Sequence, residues 1–286
     1  MNFGWIKDKW DERDYLHTRT LITLPDKVDL SQYLPAIRDQ GQEGSCVGFG
    51  EWMNVTAWAR KLGITIEELG FSPRDIYNGA RFIEGRLNKE GAYPKDGFEW
   101  MLKKGCLLDH FWPYKTPDNS APSSAFDSER AKWPLEAYFR VTDGVDNVCD
   151  ALAAGNFVSI GCPWADSWMM PPNGILPEIT KNSTLAGGHE TCFYGYDRTT
   201  QKLFGANSWG ATWGDKGCYQ MPFSSLDVFK QIEGYDCHYV KVNWPFIPPT
   251  PPEPSNCEVS QNIVEFLNEL WKVFGRKTRF QAIVPR

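Results

Sequence analysis

Gln40-Gly41-Gln42-Glu43-Gly44-Ser45-Cys46-Val47-Gly48-Phe49-Gly50-Glu51-Trp52-Met53 sets one cysteine behind a glycine-punctuated turn, at the head of a helix-spaced apolar run. Phe49, Trp52, Met53, Thr56, Ala57 and Arg60 recur at three- and four-residue intervals, which predicts a helix from Cys46 to Leu62 with Gly63 as its stop. The first turn of a helix has unsatisfied N–H groups and the positive end of the macrodipole, so it favours an anion. A cysteine placed there is a candidate thiolate, and the thiolate is the nucleophilic form. Gly48 and Gly50 are poor helix formers, so packing must hold this helix, and their small size predicts close approach of a facing wall.

Working outward, residues 1–27 mix Trp5, Trp10 and Tyr15 with Asp8, Asp11, Glu12, Arg13 and Asp14, which reads as an extended strap on a preformed surface. Ser72-Pro73 predicts an N-cap and first helical residue, and Asp96 to Lys104 predicts a short helix stopped by Gly105. Residues 114–128, rich in proline and serine, form a candidate seam between a helical half, 28–130, and a strand-rich half, 131–244. In the second half, 148–154 reads as a helix, 157–162 as a buried strand and 164–186 as an irregular loop. Strands follow at 190–196, 202–207 and 217–221. Residues 245–254 hold six prolines and predict a polyproline spacer. Beyond it, residues 258–275 form an amphipathic helix followed by a basic tail, within a tail of 255–286, and the spacer favours docking of that helix on a protein partner.

The 286 residues suffice for a sizeable core, and 42% hydrophobic with 23% charged residues is ordinary globular composition. A net charge of −6 without a basic run argues against nucleic acid as the partner. No apolar run reaches the ~18–20 residues that span a bilayer, and the N-terminus lacks the pattern of a secretory signal. The expected location is therefore cytoplasmic, or inside a larger assembly such as a virus particle. Eight cysteines without CxxC or zinc-ligand spacing predict free, mostly buried thiols, no metal site and no cofactor.

Three separated stretches, in this order, carry a resemblance: Arg38 to Cys46, then Gly187-Gly188-His189, then Asn207-Ser208-Trp209-Gly210 running into Trp213-Gly214-Asp215-Lys216-Gly217. Together they resemble the papain-like cysteine peptidases over roughly residues 28–240, in a short-prosegment bacterial or viral form. The resemblance implies an α+β, two-lobed fold, with Cys46 on a central helix and His189 and Asn207 on a β-barrel-like lobe across a cleft. It implies Cys46 as nucleophile, His189 as general base and acid, Asn207 as orienter of the ring and Gln40 as an oxyanion donor beside the Cys46 N–H. Trp209 is expected to shield the histidine–asparagine bond. Gly91, Ala92, Tyr93 and Pro94 resemble the substrate wall, with Gly188 opposite, and an apolar side chain is expected in the second subsite on the acyl side. The implied substrate is a polypeptide.

Three positions depart from the family pattern, one of them Ala92, which stands where the second glycine of the substrate wall is usual and leaves backbone pairing with an extended peptide possible but tighter. Glu43 stands where a disulfide cysteine is usual, and Val47 where tryptophan is usual. With little chain before residue 28, either the enzyme is made active or the strap or tail shields the cleft. The rival functions are an assembly protein that keeps the fold and docks through its tail, and a hydrolase of cell-wall peptides or isopeptide bonds, whose carbonyl chemistry is the same.

Overall fold

The structure is a computed structural model that describes residues 3–244 except 21–22, 65, 67–69 and 116. The proline-rich spacer, the amphipathic stretch 258–275 and the basic tail lie outside the described residues. Three helices come first, α1 (Cys46–Lys61), α2 (Pro73–Ile83) and α3 (Pro94–Lys104), after a short strand β1 (Lys27–Asp29). The second half runs α4 (Asp127–Arg130), β2 (Leu135–Arg140), α5 (Val145–Ala153), β3 (Val158–Ala165), β4 (Leu185–Asp197), β5 (Lys202–Ala206), β6 (Cys218–Pro222), α6 (Ser224–Gln231) and β7 (Asp236–Val242). The strands form a seven-stranded sheet in the order β2-β7-β3-β4-β5-β6, with β1 added to β4, and all pairings are antiparallel. The fold is α+β, as expected.

Local chemistry accounts for the helix ends. Ser72 Oγ accepts from the Asp75 N–H at 3.0 Å with Pro73 as the first helical residue. Gly105, at φ 89°, ends α3, and Gly63, at φ 69°, lies just past α1. Helix α1 is buried on nearly all sides because α2 and α3 cover one side and the sheet the other, which explains why its apolar residues extend beyond one stripe. A Cβ on Gly48 would come 2.6 Å from the Tyr77 Cβ, and one on Gly50 would come 2.9 Å from the Glu190 Cγ, so the expected close walls are α2 and β4.

Two apolar cores result. One gathers Phe49, Trp52, Phe98 and Met101 of the helices with Tyr138 and Val240 of the sheet. The other gathers Val148, Ile160, Trp164, Trp168, Phe193 and Leu226 around the sheet, α5 and α6.

The stretch 164–186, expected to be irregular, is so from Asp166 to Thr184, where it holds two 3-10 turns, but its ends belong to strands: β3 continues to Ala165 and β4 already begins at Leu185. The reason is that Pro163, which cannot donate to a ladder, nonetheless lies in register opposite Gly188. His189 therefore sits within a strand, opposite Cys162. The seven cysteines among the described residues are free thiols, all buried except the half-buried Cys218.

Candidate active site

Cys46 is the first residue of α1, follows Ser45 as N-cap, and is fully buried. Its thiol is faced by the backbone N–H groups of Glu190, Gly4 and Val47. The turn that delivers it is pinned from two sides. Tyr114 Oη donates to the Gln40 carbonyl at 2.7 Å and lies 2.6 Å from Ser45 Oγ. The Arg74 guanidinium grips the Glu43 carboxylate at 2.5 and 2.9 Å. Where the family pattern has a disulfide cysteine, this chain thus has a buried ion pair that ties the turn to α2.

His189 Nε2 donates to Asn207 Oδ1 at 2.7 Å, and that oxygen also accepts from the Ser208 N–H at 2.7 Å. Nδ1 has no hydrogen-bond partner. Trp209 lies over the imidazole at 4.4 Å with the planes 25° apart, and Trp164 meets it edge-on at 4.9 Å. Both rings keep water off the His189–Asn207 bond. Gln40 is buried beside the same loop. Its Oε1 accepts from Ser208 Oγ at 2.6 Å, its backbone N–H donates to the Ser208 carbonyl at 2.8 Å, and its Nε2 donates to the Glu43 carbonyl at 3.0 Å. Gln40, Ser208, Asn207, His189 and Trp209 are thus joined in one network, and Cys46 heads α1, the helix that packs on the strand carrying His189.

The groove beside them is filled by the chain's own N-terminus. Gly4 and Trp5 N–H both donate to the Gly188 carbonyl, at 3.1 and 3.0 Å. Ile6 N–H donates to the Ala92 carbonyl at 3.1 Å and Ala92 N–H to the Gly4 carbonyl at 2.9 Å, which makes a parallel bridge between Trp5 and Ala92. Phe3 stands edge-on to both His189 and Trp209, at 6.0 and 5.9 Å. Of the expected wall residues, Ala92 and Gly188 hold this strap. Gly91 takes φ 81° and donates its N–H to Tyr77 Oη at 2.9 Å. Tyr93 turns its ring toward the strap's Lys9, and Pro94 is buried as the first residue of α3. Further along, Asp8 accepts from the Lys95 N–H at 3.1 Å, and Arg140 ties Asp8, Asp14 and Asp236 together.

Burial under the strap governs the charges. It pushes the Cys46 thiol up to about 12, with the Glu190 carboxyl adding to the effect, and pulls His189 down to about 4 against the Asn207 hydrogen bond. Both shifts favour the uncharged thiol and the uncharged imidazole. Behind the site, Glu51 and Glu190 are buried with no hydrogen bond to either carboxylate oxygen, and burial drives both far above the usual carboxylate range.

Arg74, Tyr114 and Asp236 were not anticipated from the sequence, because each acts across the fold on a residue distant in the chain, and of the strap only its lying over the cleft was among the expectations, not its individual contacts. Glu43 was the available signal: a charge inside a glycine turn beside a buried nucleophile requires a partner.

A thiol at a helix terminus and, on the strand packed against that helix, an imidazole held by an amide fit the architecture of a cysteine peptidase. The family model described as papain family cysteine protease matches residues 24–228, and the chain belongs to that family. It is a papain-like cysteine peptidase, and its substrates are polypeptides. It is 27% identical over 259 residues to an uncharacterised peptidase C1-like protein of Acanthamoeba polyphaga mimivirus, covering 78% of this chain and 81% of that protein. It is 26% identical over 193 residues to cysteine proteinase 1 of Entamoeba histolytica, covering 65% of this chain and 59% of that one. Among solved structures it resembles xylellain, a cysteine protease from Xylella fastidiosa, with a TM-score of 0.76 and 29% identity over 85% of this chain and 96% of that one. Among the described residues no helix is long and apolar enough to cross a membrane.

Proposed function

We propose that Cys46 is the nucleophile of a peptide-bond hydrolase that is latent until its strap leaves the groove. The observation that carries this reading is the 2.7 Å bond from His189 Nε2 to Asn207, which leaves Nδ1 as the nitrogen that exchanges a proton with the thiol. With the strap displaced, water reaches the site and the cost of forming the thiolate–imidazolium pair falls. The Cys46 sulfur then attacks the substrate carbonyl carbon, and the carbonyl π electrons move to oxygen. The backbone N–H of Cys46 and the side-chain N–H of Gln40 are the donors for that oxyanion. Collapse expels the amine, which takes the proton from His189, and leaves a thioester on Cys46. Water, deprotonated by His189, attacks the thioester, and the acid product departs as Cys46 recovers its sulfur.

The strap supports the assignment of the groove, because a main chain already lies there against Ala92 and Gly188. It also explains why the strap survives: Ala92 N–H holds the Gly4 carbonyl against the wall, away from the thiol. The test is peptide hydrolysis by the full chain once the strap has been loosened. Cys46→Ala and His189→Ala should each lower kcat by 1000-fold or more, with folding intact by circular dichroism. Hydrolysis that survives both substitutions overturns the reading.

A further inference from the structure

Trp5 is the strap residue next to Gly4, whose N–H faces the thiol, and its side chain fills a socket in the groove wall. The indole is 8% exposed. It lies against Gly161 of β3 and Gly188 of β4: a Cβ on Gly161 would overlap the indole, and one on Gly188 would come 2.6 Å from Trp5 Cε3. At the socket's end is Asp236 of β7, which is opposite Gly161 in the sheet and 3% exposed. Trp5 Nε1 donates to Asp236 Oδ2 at 3.0 Å, and Asp8 N–H donates to the same oxygen at 2.9 Å. Oδ1 is held by Arg140 at 3.1 Å.

Both donors to Oδ2 belong to the strap. When the strap leaves, Oδ2 loses both of these donors and opens to water, while Arg140 remains on Oδ1, so it is the entering side chain that buries the oxygen again. An entering side chain that brings an N–H to Oδ2 restores the bond, and an apolar side chain of equal size leaves the oxygen unsatisfied. Arg140 also loses Asp8 and Asp14 with the strap, so its guanidinium stands beside Asp236 and opposes a second cation there.

We infer that the socket is a specificity subsite that selects a bulky, neutral side chain carrying an N–H at its far end, with tryptophan the natural fit, and that Asp236 is the residue that selects it. By the family resemblance the selected residue is the neighbour, on the acyl side, of the one lying over Cys46; the strap runs in the opposite direction, with Trp5 on the carboxyl side of Gly4, so only its side chain stands in for that of a substrate. Trp5 is then a built-in mimic of the preferred substrate side chain. The inference rests on the peptidase reading for its function, and it replaces the apolar preference expected of this subsite, because β7 brings an acid to it.

The test compares two peptides, acetyl-Trp-Gly-aminomethylcoumarin and the same peptide with 3-benzothienylalanine in place of tryptophan. The substitute keeps the bicyclic shape and has sulfur where the indole has N–H. Both are assayed on the full chain carrying Trp5→Ala and on the unmodified chain, where a docked strap lowers both rates equally and preserves their ratio. Loss of one hydrogen bond to a buried carboxylate predicts about a 10- to 100-fold advantage for tryptophan in kcat/KM. The same advantage is expected in Kd measured by calorimetry on the Trp5→Ala chain, which reads the socket whether or not the peptide is cut. Equal binding of the two peptides overturns the inference. Selective binding without hydrolysis upholds the socket and overturns the peptidase reading instead.

Discussion

Gly4→Ala should unmask Cys46 without touching the catalytic groups. A methyl at Gly4 would overlap the carbonyl oxygen of Gly44, which belongs to the turn that delivers the nucleophile and is buried under the strap. Backbone meets backbone there, so no side chain can swing aside and the strap must lift. Lifting it breaks the bonds of Gly4 itself, N–H to Gly188 at 3.1 Å and carbonyl from Ala92 at 2.9 Å, and weakens those of Trp5 and Ile6. At about 1 kcal/mol net for each bond, the strap loses roughly 2 to 3 kcal/mol of docking energy. That corresponds to about a 30- to 150-fold rise in the open population. The assay is the rate of iodoacetamide alkylation of Cys46 at pH 7, followed by peptide mass spectrometry. In the unmodified chain the buried thiol titrates at about 12, so labelling should be slow and rise about tenfold per pH unit from 7 to 10. In Gly4→Ala it should be about 100-fold faster at pH 7 and flatten toward high pH. Unchanged labelling, in a chain whose Trp5 and Ile6 amides exchange hydrogen fast enough to show the strap undocked, refutes the reasoning.

Asn207→Ala removes the acceptor that fixes the His189 ring; kcat for peptide hydrolysis should fall about 10- to 100-fold with KM little changed, as steady-state kinetics will show. Glu43→Ala leaves the Arg74 guanidinium buried without its carboxylate and should cost about 3 to 5 kcal/mol, a fall in Tm of roughly 10 °C by calorimetry. Burial, aided by Glu84 and Glu99, raises Asp96 to about 7 from an ordinary 3.8. The folded chain therefore holds this proton where the unfolded chain has released it, so stability is greatest below about pH 4 for this group and falls as pH rises to about 7. Asp96→Asn should thus leave stability unchanged near pH 4 and raise it by about 2 to 4 kcal/mol at pH 8, as denaturant melts at the two pH values will show.

The nucleophile's mount was legible because its signals are local: glycines before Cys46, helical spacing after it, and the short Gly-Gly-His and Asn-Ser-Trp-Gly runs. Strands β2 and β7 were not assigned, since Arg140, Asp236 and His238 interrupt their apolar pattern with buried polar groups whose partners come from the strap. Tertiary pairing there overrides the period-two signal. Pro163 likewise hid the end of β3. That the strap could cover the cleft was among the expectations, but its residue-level seating was beyond local reading, because Phe3, Gly4 and Trp5 acquire their meaning from Gly44, Ala92, Gly188 and Asp236, all remote in sequence. The same holds for the socket, to which β7 brings Asp236.

The central claim is that Cys46 is the one thiol made reactive by His189, beneath a strap that can leave. An epoxide thiol inhibitor added to the Gly4→Ala chain, with adducts mapped by mass spectrometry, tests it most directly. A single adduct on Cys46 that disappears when His189→Ala is added is the predicted result. Adducts spread over the cysteines, or an undiminished Cys46 adduct without His189, would contradict it.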